Sequence, residues 1–153
     1  MLKALVPVDG SPCSLAAVRH VIKLVQDREP LEIHLVNAQA PLHGDVSTFV
    51  DATLIREYHE EEAAKALAPA CDLLAGAGIA FERHVVTGHA ARVIAECATT
   101  LGCDKVVMGT RGLGPVTQLL LGSVTHEAIH RMDPAIPVTL VKCPSQVPPV
   151  ETP

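Results

Sequence analysis

Five short apolar runs punctuate the chain, and a stretch of helical character separates each from the next. Residues 2–8 are rich in Val and Leu and break at Asp9-Gly10, as a strand buried on both faces does. Residues 31–36 follow the break at Pro30 and alternate apolar with polar positions, and residues 79–86 alternate in the same way. Residues 105–109 and 137–142 read as a fourth and a fifth strand. Ser11 before Pro12 is a hydroxyl N-cap followed by proline at the first helical position, and it opens a helix that ends near Asp27. Ala16, Ala17, Ile22 and Val25 help form its apolar face. Residues 52–75, rich in Glu, Lys, Ala and Leu, read as one long helix that Pro69 is expected to kink or divide and that Gly76 and Gly78 end. Shorter helices are expected over 90–100, stopped by Gly102, and over 123–131. Residues 37–50, with Pro41 and Gly44, read as a long loop of the kind that is functional or mobile.

Strands that alternate with helices imply right-handed crossovers and a parallel sheet. No repeat or linker divides the chain, so one α/β domain is expected over 1–143. A loose tail over 144–153 carries prolines 144, 148, 149 and 153. At 153 residues and 48% hydrophobic, the chain is long enough to bury a core and too apolar to be disordered. With 2% aromatics and no Trp, that core is Val, Leu, Ile and Ala, and stacking platforms for single-stranded nucleic acid are disfavoured. A net charge of −5 with 12 Lys+Arg makes nucleic acid an unexpected partner. No apolar run reaches the roughly 18 residues of a membrane span. No charged start followed by an apolar stretch suggests a signal peptide. A cytoplasmic location is therefore expected, with the five scattered cysteines reduced.

The most informative stretch begins at Gly109 and ends at Thr125. Gly109-Thr-Arg-Gly112 follows the fourth strand, and Gly122-Ser123-Val124-Thr125 opens the next helix. Glycines allow a phosphate close to the backbone, and the free N–H groups and dipole of a helix start favour negative charge. The spacing is neither a P-loop nor a dinucleotide fingerprint. It is Gly, two residues, Gly, nine residues, then Gly-Ser.

That spacing resembles the nucleotide-binding signature of the universal stress protein family, in its ATP-binding branch. A second match is Ala4-Leu-Val-Pro7-Val-Asp9-Gly-Ser11, which looks like the family's first strand and its acidic end. The resemblance runs in the expected order from about Leu2 to Lys142. It implies a doubly wound, Rossmann-like sheet of five parallel strands in the order 3-2-1-4-5, the adenine nucleotide alpha-hydrolase-like arrangement. The ends of strands one and four would then be neighbours at the switch point, where ligands bind in such sheets. ATP, or AMP or ADP in its place, is the implied ligand. The family commonly dimerises through its last strand, here residues 138–142, whose edge pairing would cover.

Within such a site Asp9 would accept from ribose hydroxyls or hold Mg²⁺ near the phosphates; its alternative is a loop or cap hydrogen bond. Pro7, Val8, Val36 and Asn37 would offer backbone and apolar contact to a base, or serve as strand core. Met108 would lie against the adenine edge or pack, and Gly109 would admit the ribose. Gly112, Gly122, Ser123, Val124 and Thr125 would supply amides and hydroxyls to phosphate, and Arg111 would neutralise it or stay solvated. No Lys or Arg lies between Leu113 and Leu121, where the family often has basic residues, so AMP or ADP competes with ATP.

His126-Glu127-Ala-Ile-His130 matches H-E-x-x-H, which sets two imidazoles on one helix face. It lacks a downstream third ligand, so a surface helix is expected, with metal picked up adventitiously as the lesser reading. Histidines 20, 34, 43, 59, 84 and 89 show no ligand spacing and are expected at the surface. Cys13, at a helix start after Asp9, reads as a packed small residue or, less readily, a redox thiol. No Walker lysine, general base or carboxylate pair accompanies the glycine loop, so no catalytic residue is assigned and any hydrolysis should be slow. The leading expectation is a stress-response protein that binds adenine nucleotide and signals by conformation or assembly. The alternatives are a scaffold module of the same fold, a slow ATPase or self-phosphorylating protein, and a metal enzyme through His126 and His130.

Overall fold

A computed structural model describes residues 1–42, 44, 50–111 and 121–143. Nine elements alternate: β1 (Leu2–Pro7), α1 (Pro12–Gln26), β2 (Leu31–Gln39), α2 (Ala52–Gly76), β3 (Phe81–Thr87), α3 (Ala90–Thr100), β4 (Lys105–Gly109), α4 (Ser123–Arg131) and β5 (Val138–Val141). The strands form one parallel sheet in the order β3-β2-β1-β4-β5, as the resemblance implied.

Side-chain alternation sorts the apolar residues onto the two faces. Val6, Ile33, Leu35 and Val107 pack with Val18 and Val21 of α1 and with Leu67 and Leu74 of α2. Leu5, Val36, Val106 and Met108 face the other way, onto Val93 and Ile94 of α3 and Ala128 of α4. Full burial of each such side chain contributes about 1.5–3 kcal/mol.

Pro69 does not divide α2, which runs unbroken through it. The carbonyl that Pro69 leaves without a donor is that of Lys65, and both residues are exposed, so water can satisfy it. Ala63, Leu67, Ala70 and Leu74 meanwhile keep the buried stripe continuous on the other side of the helix. β2 also runs on past Val36, where a loop was expected. Asn37, Ala38 and Gln39 continue the ladder opposite Val85, Val86 and Thr87, because their polar side chains find partners inside the fold. The expected tail over 144–153, and most of the expected loop before Val50, lie outside the described residues.

Candidate functional site

The carboxyl ends of β1 and β4 part where the sheet reverses its winding. Val8 N–H donates to Val36 O at 2.8 Å, so the peptide groups of Val6 and Val8 face β2. Those of Leu5 and Pro7 face β4, and Pro7 has no N–H to donate. Pairing with β4 accordingly stops at Leu5 opposite Val106, while β1 and β2 stay paired through Pro7 and Val36. A crevice at the switch point is the result.

Asp9 stands exposed at the lip of that crevice. One carboxylate oxygen accepts from Ser11 N–H at 2.9 Å. Gly10 then turns the chain with φ +84°, a conformation that disfavours a side chain. Ser11 caps α1 by accepting from Ser14 N–H at 3.1 Å.

On the β4 side, Gly109 is where the backbones crowd. A Cβ there would lie 2.7 Å from the carbonyl oxygen of Cys13, so the approach this glycine permits is that of the first turn of α1. Thr125, buried in α4, donates its hydroxyl to Gly109 O at 3.0 Å and fastens that helix to the end of β4. Gly122 N–H donates to Thr110 O at 2.6 Å, and Gly122 is the N-cap of α4. No side chain among the described residues caps that helix start, and Ser123 and Val124 are exposed there. Their N–H groups have no intrahelical acceptor and carry the positive end of the helix dipole. That arrangement suits a phosphate, and Ser123 brings a hydroxyl to it. Of the other expected contacts, Arg111 is exposed and Gly112 lies outside the described residues. Met108 and Val36 are buried in the core beneath α3 and α4.

Asn37 is buried and fully engaged, with its amide N–H donating to Val8 O at 2.8 Å and its carbonyl oxygen accepting from Gln39 Nε2 at 2.6 Å. Gln39 Oε1 lies 3.4 Å from Nδ1 of His59, itself buried in α2. His59 lines a cavity of about 530 Å³ together with Pro41, Leu42, Ile55, Arg56 and Val85. A polar chain thus links that cavity to the end of β1. Gln39 and His59 gave no signal in the sequence, since neither belongs to a motif.

Several expectations are overturned. Cys13 and Cys143 are joined in a disulfide, so not all five cysteines are reduced. The first turn of α1 and the chain leaving β5 both reach the end of β4, and 130 residues of sequence hid their meeting. Cys71, Cys97 and Cys103 are free. Burial raises the pKa of all three thiols, that of Cys103 to about 11, so they stay protonated at neutral pH.

The histidines expected at the surface are not all there. His34 and His59 are buried, and His34 forms part of a cluster with Glu32, Glu82 and His84. A histidine within a strand's alternation leaves no spacing to read, because its neighbours come from the next strand. His43 lies outside the described residues. His126 and His130 do meet on the exposed face of α4, with ring centroids 4.6 Å apart. Glu127 pairs instead with Arg131 at 3.0 Å and with His89 at 3.4 Å. No third ligand joins the two imidazoles among the described residues.

A doubly wound α/β domain, with a helix start at its switch point that no side chain among the described residues caps, is the class defined by these features. The model of the universal stress protein family matches residues 1–142, and the chain belongs to that family. A universal stress protein of Methanocaldococcus jannaschii is 32% identical over 152 residues, covering 94% of this chain and 84% of the relative. Among solved structures, the hypothetical protein MJ0577 superposes with a TM-score of 0.79 at 25% identity, covering 95% of this chain and 98% of its own. A universal stress protein in complex with cAMP superposes with a TM-score of 0.65 at 21% identity, covering 94% and 98%. A family member from Arabidopsis thaliana with AMP bound reaches 0.70 at 17% identity, covering 99% and 97%. No helix among the described residues is long and apolar enough to cross a membrane.

Proposed function

We propose that this chain binds an adenine nucleotide, ATP or in its place AMP or ADP, in the crevice between β1 and β4, and acts as a cytoplasmic regulatory protein of the stress response. The observation that carries the reading is the N-terminus of α4, which no side chain among the described residues caps, held at the end of β4 by Thr125 and by the Gly122–Thr110 bond. The residues present fit a phosphate there: free N–H groups, the Ser123 hydroxyl and no carboxylate within the first turn. Structural neighbours that hold cAMP and AMP support an adenine ligand. A nucleotide would supply charge and rigidity to the crevice. Ser123 and Val124 would hold its phosphates, Gly122 would admit them by lacking a side chain, Pro7, Val8 and the Val36-Asn37 backbone would border its base, and Asp9 would take a ribose hydroxyl or a phosphate-bound Mg²⁺. No residue is assigned to catalysis. A homodimer formed along β5 belongs to the same reading: that strand ends the sheet and Leu140 is 37% exposed on it.

The test is native mass spectrometry of the purified protein, followed by titration of ATP, ADP and AMP against wild type and Gly122→Asp. Gly122 has φ −65° and ψ 156°, which aspartate adopts readily at an N-cap. The variant should therefore keep its fold while its carboxylate takes the amides and repels phosphate. Micromolar binding to wild type that falls at least about tenfold in the variant is expected, a loss of about 1.4 kcal/mol. Unchanged binding in Gly122→Asp would move the ligand elsewhere. No binding to wild type would leave the scaffold reading.

A further inference from the structure

The strongest chemistry outside the crevice lies at the opposite edge of the sheet, where β2 and β3 place four side chains on one face. In the parallel register His34 stands opposite Glu82, and Val36 opposite His84. Glu32 precedes His34 by two residues on β2, so Glu32, His34, Glu82 and His84 all project toward the α3 side. His34 is buried, His84 is half-buried, and the two carboxylates reach solvent.

The distances within the group fit a cation. His34 Nδ1 lies 2.9 Å from His84 Nε2 and 3.6 Å from Glu82 Oε2, and His84 Nε2 lies 3.9 Å from the same oxygen. Three ligand atoms at the corners of a zinc tetrahedron, each about 2.0–2.1 Å from the metal, stand about 3.3 Å apart. Small side-chain rotations separate the observed triangle from that one. On its far side His34 Nε2–H donates to Glu32 Oε1 at 2.9 Å. That bond places the proton on Nε2 and leaves the Nδ1 lone pair facing His84 Nε2, on the side where Glu82 also stands. A carboxylate–histidine–metal relay has this arrangement. Charge points the same way, because neither Glu32 nor Glu82 has a lysine or arginine partner among the described residues.

We propose that His34 Nδ1, His84 Nε2 and Glu82 bind a divalent transition metal of the zinc class, with Glu32 as the positioning carboxylate behind His34. Two imidazoles and one carboxylate select zinc, cobalt, nickel or copper over calcium and magnesium, which prefer all-oxygen sites. Without metal, His84 Nε2–H donates to His34 Nδ1; on binding, His84 takes its Nδ1–H tautomer and turns the Nε2 lone pair to the cation. The fourth position opens toward solvent past Glu82 and takes water. The site is independent of the nucleotide crevice, which lies at the carboxyl ends of β1 and β4.

Cobalt(II) is the probe, titrated into chelator-treated protein, with zinc in competition. One equivalent should give the visible absorption of a four-coordinate ion without a thiolate charge-transfer band, and zinc should displace it. His126→Gln/His130→Gln should leave the signal unchanged. His84→Gln should abolish it, and Glu32→Gln should weaken affinity about 10–100-fold. His34 is left intact because burial makes its loss a folding risk. Glu82→Gln, at a residue whose side chain is 65% exposed, gives the same reading should His84→Gln unfold. Three outcomes overturn the proposal: a signal that survives both His84→Gln and Glu82→Gln, one that disappears in His126→Gln/His130→Gln, or a thiolate band, which would assign the metal to one of the free thiols, Cys71, Cys97 or Cys103. Absence of binding to wild type at micromolar cobalt overturns it as well.

Discussion

The crevice at the centre of the sheet and the cluster at its β3 edge are built from different materials. In the proposed nucleotide site the working groups would belong to the backbone: amides at the start of α4 that no described side chain caps, peptide groups at the end of β1, and glycines that let chains approach. Its side chains are mostly committed inward, Asn37 to Val8 and Gln39, and Thr125 to Gly109. At the β2/β3 edge the groups are imidazoles and carboxylates aimed at one another across a strand pair. A backbone site depends on how the elements abut, so changes there should cost stability as well as affinity. A side-chain site stands on an already formed ladder, so changes at its exposed members, Glu82 above all, should cost affinity alone.

The largest expected effect tests the first half of that contrast. Cys143→Ser removes the bond between the first turn of α1 and the chain leaving β5. Closing so long a loop should contribute about 5 kcal/mol by the chain-entropy estimate. Guanidinium unfolding of wild type, variant and reduced wild type should show the two altered forms equally destabilised, with cobalt binding at the edge unchanged. Equal stability of all three would mean that the crevice does not depend on this tie. Gly109→Ala comes next. Its methyl group would meet the Cys13 carbonyl at 2.7 Å, and such overpacking should cost about 2–3 kcal/mol. Nucleotide affinity should fall with it, since α1 and β4 frame the same crevice.

Asn37→Ala is expected to cost less, about 1–2 kcal/mol, by leaving the buried Val8 carbonyl without its donor. It sharpens the comparison because Asn37 follows His34 by three residues on the same strand but points to the opposite face. Nucleotide binding should weaken while cobalt binding holds. Loss of both would show that β2 transmits damage between the two regions and that they are not independent.

What the sequence disclosed follows the same division. Backbone chemistry leaves local marks: Gly109, Gly122 and Ser123 fall at fixed spacing, and Pro7-Val-Asp9-Gly10 closes an apolar run. Strand and helix positions were therefore legible, as was the pairing of β1 beside β4 once the resemblance supplied the strand order. Contacts across the sheet leave no such marks. His34 and His84 are 50 residues apart, and only the β2–β3 register brings them together. Cys13 and Cys143 hid for the same reason. Pro69 and the continuation of β2 misled in another way, because local propensity yielded to packing. A breaker on an exposed helix face has water for the carbonyl it frees, and polar strand residues are stable where Val8 and Gln39 satisfy them.

The smallest expected effect concerns reactivity, at a thiol on the α3 face near the amino ends of β1 and β4. Cys103 follows α3, and burial is the main cause that holds its pKa at about 11 against an ordinary 9.0, with Glu32 of the edge cluster among the weaker charges that push the same way. At pH 8 that shift leaves about a hundredfold less thiolate than an ordinary thiol has, and alkylation should slow in proportion. Because the folded pKa is the raised one, protonation favours the folded chain. The contribution is whole below about pH 9 and is lost as the pH rises through 11, so below pH 9 this thiol gives stability no slope. Mass-resolved alkylation with iodoacetamide should find Cys103 slow at pH 8 in the native protein and fast in denaturant. Saturating the edge cluster with zinc should leave the Cys103 rate unchanged if the cation is held by His34, His84 and Glu82. Protection of Cys103 by zinc would instead bring its sulfur into the metal's coordination and merge the two chemistries at that edge into one.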